Sequence, residues 1–158
     1  MKIIRGLHNL TSQHFGCVAT IGNFDGVHLG HVEILKRLII KSAHYKVPSV
    51  VILFEPQPAE FFRYGRIPAR LSRLSEKAQL IFACGVDKVL VLRFSRDLAS
   101  YSPRQFVEEI LVKRMGIKSL IIGDDFRFGT DRGGDFSLLT SLAIKHQFSL
   151  DQTPPFLF

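Results

Sequence analysis

Cysteine is scarce in this chain of 158 residues, occurring only as Cys17 and Cys84. The two lie far apart in apolar stretches, with no C-x-x-C pair and no histidine at metal-finger spacing, which excludes a disulfide-stapled miniprotein. They read as buried thiols in a reducing compartment. Long hydrophobic runs are missing too. No stretch reaches the roughly 18 uncharged apolar residues of a membrane span, and the Met1–Gly6 start has no apolar core of signal-peptide length. A cytoplasmic location and no membrane partner are expected. The chain also lacks internal repeats, charge blocks and Ser/Gly linkers, so one domain covering 1–158 is expected. Acidic residues are the minority, 14 against 21 basic ones, leaving a net charge of +7 and a pI near 9.7. An anionic partner is implied, and charge alone leaves its kind open. With 46% hydrophobic and 22% charged residues, the composition is that of an ordinary folded domain.

What is present is an alternation. Short β-branched runs at Cys17 to Ile21, Ser49 to Phe54, Lys88 to Leu92 and Ser119 to Ile122 are each followed by turn residues and then by a helical period. The first helix, about Leu29 to Tyr45, sets Leu29, Val32, Leu35, Leu38, Ile39 and Ala43 on one stripe. A second starts near Ser75 and stops at Gly85. The third has Ser102 as N-cap, Pro103 at the first position and Gln105 completing a capping box, then runs to Gly116. A fourth covers Phe136 to His146, and a last strand lies near Phe148 to Leu150. The expected fold is α/β, a five-stranded parallel sheet covered by helices on both faces, with ligands beyond the carboxyl ends of the strands.

The chemistry concentrates where the first of these strands ends, at Gly22-Asn23-Phe24-Asp25-Gly26-Val27-His28-Leu29-Gly30-His31. A strand there passes through a glycine-rich turn into a helix, the arrangement that gathers free backbone N–H groups and the positive end of a helix dipole around an anion. His28 and His31, three apart, share a helix face. Neither G-x-x-x-x-G-K-[ST] nor G-x-G-x-x-G occurs at this turn, which rejects a P-loop and a dinucleotide-binding turn. A zinc site would need a third ligand that the sequence does not identify. Helix capping by one histidine and packing by the other is the bland alternative.

These ten residues resemble the G-x-F-D-G-x-H-x-G-H signature of the nucleotidylyltransferase superfamily, and specifically its bacterial FAD synthetase modules. Leu53-Phe54-Glu55-Pro56-Gln57-Pro58 is similar to that family's second motif. Gly123-Asp124-Asp125-Phe126-Arg127-Phe128-Gly129, followed by Gly134-Asp135, is similar to its third, which points to the flavin branch rather than to pantetheine-phosphate adenylyltransferases or cytidylyltransferases. The resemblance implies a Rossmann-like nucleotidylyltransferase fold and transfer of AMP from ATP to FMN, giving FAD and pyrophosphate. It implies His28, His31 and Asn23 as catalytic residues, and Gly22, Phe24, Asp25, Gly26 and Gly30 beside them around ATP. Phe54, Pro56, Gln57, Pro58, Asp125, Phe126, Arg127 and Phe128 would face the flavin. Mg²⁺ would come with ATP, and no protein metal site is expected.

Two departures stand out. Gln57 occupies a position where the family often has histidine, which suggests hydrogen bonding there rather than acid/base work. The family also continues to a Ser-Ser-Thr-x-x-Arg segment and a riboflavin kinase module, and this chain stops at Phe158 before both, so impaired catalysis by the fragment is expected. A non-catalytic nucleotide- or flavin-binding domain is the alternative. Arg63, Arg66, Arg70 and Arg73, among Phe61, Phe62 and Tyr64, are read as a flap over the site rather than a nucleic-acid surface.

Overall fold

A computed structural model describes residues 2–22, 24, 29–55, 71–93, 95–123 and 135–153. The elements are β1 (Lys2–Arg5), β2 (Cys17–Ile21), α1 (Leu29–Tyr45), β3 (Ser49–Glu55), α2 (Leu71–Ala83), β4 (Lys88–Arg93), the short α3 (Arg96–Ala99), α4 (103–114), β5 (Ile117–Gly123), α5 (Phe136–His146) and β6 (Ser149–Thr153). All strands are parallel, in the order β1-β4-β3-β2-β5-β6.

The sheet therefore has six strands, not five. The additional one, Lys-Ile-Ile-Arg, is short, lies at the edge beside β4 and buries Ile4 alone, so it carries little hydrophobic pattern. The last strand also runs further than expected, to Thr153, and α2 begins at Leu71 rather than near Ser75. All five residues of β2 are buried, as befits a central strand covered on both faces.

Two hydrophobic layers follow from strand alternation. Val18, Val51, Leu53, Val89, Val91 and Ile121 meet Leu35 and Leu38 of α1 and Leu74, Ala78 and Ile81 of α2. Ala19, Ile21, Val50, Ile52, Leu90, Leu120 and Ile122 meet α4 and α5 on the opposite face. The stripe on α1 is rotated from the expected one. Ala43 is exposed, and Ser42 is buried with its hydroxyl donating to the Ile39 carbonyl at 3.2 Å.

The expected capping box is present: Gln105 N–H donates to Ser102 Oγ at 3.1 Å, and Ser102 N–H donates to Gln105 Oε1 at 2.9 Å. Beyond it the helix is not α. From Phe106 to Arg114 it is a π-helix, closed by Met115 N–H donating to the Ile110 carbonyl at 3.0 Å. Its i→i+5 ladder lays residues four and five apart on one face. Phe106, Val107, Ile110, Leu111 and Met115 are all buried against the sheet as a result.

Candidate functional site

The strand order reverses at β2. From there the chain builds β3 and β4 on one side, then returns to place β5 and β6 on the other. In a doubly wound sheet the crevice beyond the carboxyl ends of the two strands flanking such a reversal is where ligands bind. Here those strands are β2, ending at Ile21, and β5, ending at Gly123. The first and third sequence motifs leave the sheet at these two ends, side by side.

The described part of the first motif is tightly packed. Gly22 N–H extends the ladder by donating to the Ile52 carbonyl at 3.3 Å. Phe24, 1% exposed, adopts φ 52, a left-handed conformation uncommon for an aromatic residue. Its ring covers Gly22 so closely that a Cβ there would lie 2.7 Å from Phe24 Cε2. The ring also meets His31, with centroids 4.7 Å apart and planes at 43°. His31 is half-buried in the first turn of α1, a helix of 17 residues whose amino end carries the positive pole of its dipole. The glycine makes room for the phenylalanine, and the phenylalanine backs the imidazole. Left-handed strain held by burial is a recurrent property of ligand-binding turns.

Below this layer, two residues earlier on the same face, Thr20 is fully buried between Val51 and Ile121 of the adjacent strands. Among the described residues its hydroxyl has no hydrogen-bond partner. A group of that kind costs roughly 1–3 kcal/mol.

Phe54 lies on the other face of the sheet, half-buried and packed against Phe106 with ring centroids 6.2 Å apart. His31 and Phe54 therefore flank the carboxyl edge from opposite faces, so a ligand reaching both would straddle the strand ends. Asp135, from the third motif, has a structural task, because its carboxylate accepts from Leu138 N–H at 3.1 Å and caps α5. Two rim residues were not singled out from the sequence. Glu55 and Arg93 are paired in register at the ends of β3 and β4, and the available signal was a charged residue closing each of two apolar strands. Gly30 lies in the first turn of α1. Asn23, Asp25, Gly26, His28, Pro56, Gln57, Pro58, Asp125, Phe126, Arg127 and Phe128 lie outside the described residues, as do Arg63, Arg66 and Arg70. Among the described residues, no three His, Cys, Asp or Glu side chains gather as a metal cage.

The fold and this crevice define a doubly wound, Rossmann-like α/β protein. A solved structure titled as a macrolide-efflux protein from Streptococcus pneumoniae has the same fold, with a TM-score of 0.79 at 22% identity, over 99% of this chain and 51% of that one. A family model described as FAD synthetase matches residues 10–158, and the chain belongs to that family. It is 47% identical over 157 residues to a bifunctional riboflavin kinase/FMN adenylyltransferase of Escherichia coli K12, covering 99% of this chain and 50% of that protein. The protein of the same name from Pseudomonas fluorescens is 50% identical over 151 residues, 96% of this chain and 48% of the relative. The chain thus spans about half the length of the curated relatives it matches.

Proposed function

We propose that this chain is the FMN-adenylylating module of an FAD-forming enzyme, transferring AMP from ATP to FMN with release of pyrophosphate. The observation that carries this reading is the β2–turn–α1 unit at the switch point, where His31 is set on a buried ring at the amino end of a long helix. That unit belongs to a chain of the FAD synthetase family.

In this reaction a phosphate oxygen of FMN attacks the α-phosphorus of ATP in line. The new P–O bond forms as the bond to pyrophosphate breaks, with no covalent enzyme intermediate. The protein's task is to align two anions that repel each other, and alignment of this kind corresponds to effective molarities of about 10⁵ to 10⁸ M. His28 and His31 donate hydrogen bonds to the ATP phosphates, Asn23 adds a polar contact, and the backbone of Gly22, Phe24, Asp25, Gly26 and Gly30 frames the nucleotide. The amino end of α1 favours charge growing on the leaving oxygens. Phe54, with Pro56, Gln57 and Pro58, and the third motif's Asp125, Phe126, Arg127 and Phe128, holds the flavin. Mg²⁺ would come with the ATP phosphates and screen part of their charge, keeping most of its own water. The substrates suit a cytoplasmic setting without nucleic-acid or membrane partners, and a riboflavin kinase module would supply FMN. No helix among the described residues is long and apolar enough to cross a membrane.

The test is to incubate this chain, and a form extended to the length of its relatives, with ATP, Mg²⁺ and FMN, and to measure FAD and pyrophosphate. FAD should form, and His31→Ala should lower kcat by about 10²–10³, the effect of removing one transition-state donor. Normal turnover by His31→Ala would refute the assignment of that residue. Absence of FAD from both forms would refute the reading as a whole.

A further inference from the structure

Among the described residues one charged side chain is buried, that of Lys77, at 8% exposed. Lysine is rarely taken out of water, because its ammonium then needs oxygen around it. Lys77 belongs to α2, whose buried stripe is otherwise apolar: Leu74, Ala78 and Ile81 share one cluster with Val51, Leu53, Val89 and Val91 of the sheet. A lysine three residues after Leu74 and four before Ile81 stands at the border of that stripe, where leucine or alanine would serve stability better.

Helix geometry directs the ammonium. With 3.6 residues per turn, Lys77 stands about 60° to one side of the direction shared by Leu74, Ala78 and Ile81. As consecutive right-handed crossovers on one face of the sheet, α1 and α2 lie side by side, and the flank of α2 bearing Lys77 is the one turned to α1. The other flank carries Ser75, which is exposed. Side chains on a helix lean toward its amino end. The amino end of α2 lies at the carboxyl edge of the sheet, since the helix starts at Leu71 after β3 and runs back. Lys77 is six residues, about 9 Å, below that start, and its four-carbon stem rises between the two helices toward it. Phe24, seated over Gly22 at the end of β2, belongs to the same cluster as Leu74 and Ala78. This level of α2 is therefore the level of the Phe24–His31 pair.

Building on the adenylylation proposed above, we infer that Lys77 is a further cation of that site, its ammonium facing the pyrophosphate portion of ATP from the same face of the sheet as His31. The α1 amino end supplies partial charges and His31 a hydrogen bond, whereas Lys77 supplies a whole charge. As a point charge on a flexible stem it can follow the negative charge that passes to the departing pyrophosphate. Apolar neighbours on α2 and the sheet keep the local dielectric low, so the attraction exceeds that of a lysine in water.

Calorimetric binding and steady-state turnover of Lys77→Met and Lys77→Arg, in this chain and in its extended form, test the inference. Methionine keeps most of the stem and removes the charge. Binding of ATP and pyrophosphate should weaken and kcat/KM for ATP should fall by about 10²-fold, while FMN affinity and the urea midpoint stay near those of the parent. Arginine keeps the charge and should recover most of the lost binding. A purely structural role would instead move ATP, FMN and the midpoint together. In the parent carrying ¹³C-labelled lysine, pyrophosphate should shift the Lys77 ε-carbon resonance and leave exposed Lys113 in place, a readout that depends on no variant folding. Parent-like binding of ATP and pyrophosphate by Lys77→Met, or a Lys77 resonance indifferent to pyrophosphate, would overturn the inference and leave adenylylation standing. No FAD and no ATP binding by the parent in either form would overturn adenylylation itself, and the inference with it.

Discussion

Replacing Gly22 by alanine probes the packing that supports the site. The backbone at Gly22 lies outside the left-handed region, so the conformation itself accepts an L-residue. On that ground alone the change would stabilise by about 0.4–1 kcal/mol through the unfolded chain. The new methyl, however, would lie 2.7 Å from Cε2 and 3.1 Å from Cδ2 of Phe24. Carbon atoms prefer about 3.5 Å or more, so the ring must retreat by about 0.8 Å. Phe24 is 1% exposed, packed in the core and against His31, and has little room to do so. Overpacking of this kind costs about 1–3 kcal/mol, which leaves a net loss of roughly 1–2 kcal/mol. Urea unfolding followed by circular dichroism measures it, and ATP affinity should weaken in parallel as the imidazole loses its backing. Gly22→Ala/Phe24→Leu supplies the control: a smaller side chain should recover part of the stability, giving a favourable coupling in the double-mutant cycle. A Gly22→Ala protein within about 0.5 kcal/mol of the parent, with no coupling to Phe24→Leu, would refute the reasoning.

Thr20→Val exchanges an orphaned hydroxyl for a methyl of the same shape and should raise stability by about 1 kcal/mol in the same assay. A loss of stability would show that the hydroxyl is satisfied. Glu108 ties α4 to α5, accepting from His146 Nε2 at 2.7 Å and Lys145 Nζ at 3.2 Å, and these bonds hold its carboxyl below the usual carboxylate range. The stabilisation is present above the ordinary carboxylate pKa and is lost as pH falls through the depressed one, so Glu108→Gln should be less stable than the parent at neutral pH and converge with it in acid. A constant gap across the titration would contradict this. Burial raises the Cys17 thiol to about 12, so about one molecule in 10⁴ carries the thiolate at pH 8. Native alkylation should modify half-buried Cys84 first and reach Cys17 only on unfolding; equal rates would count against the burial of Cys17.

The sequence carries the fold where burial is two-sided. β2, β3, β4 and β5 announce themselves as continuous β-branched runs because each is covered by helices on both faces. β1 does not, since an edge strand with lysine and arginine at its ends has almost no pattern to show. The π-helix is hidden for another reason. Buried residues at 106, 107, 110, 111 and 115 suit a turn of either width, and the capping box describes only its first turn. For the site, motif and topology agree in bringing the ends of β2 and β5 together. The coupling of Gly22, Phe24 and His31 could not be anticipated, because no periodicity predicts a left-handed phenylalanine.

The pairing of β1 with β4 also bears on how the chain is made. Lys2 and Lys88 are neighbours in the sheet but stand 86 residues apart in the chain, so β1 waits until β2–α1–β3–α2 has been made before its partner β4 exists. Closing so long a loop belongs to the slow part of folding. Until it closes, β4 presents a bare edge with unpaired N–H and C=O groups to any neighbouring nascent chain. β1 is therefore a late seal over the β4 edge, and what it guards against is association during synthesis.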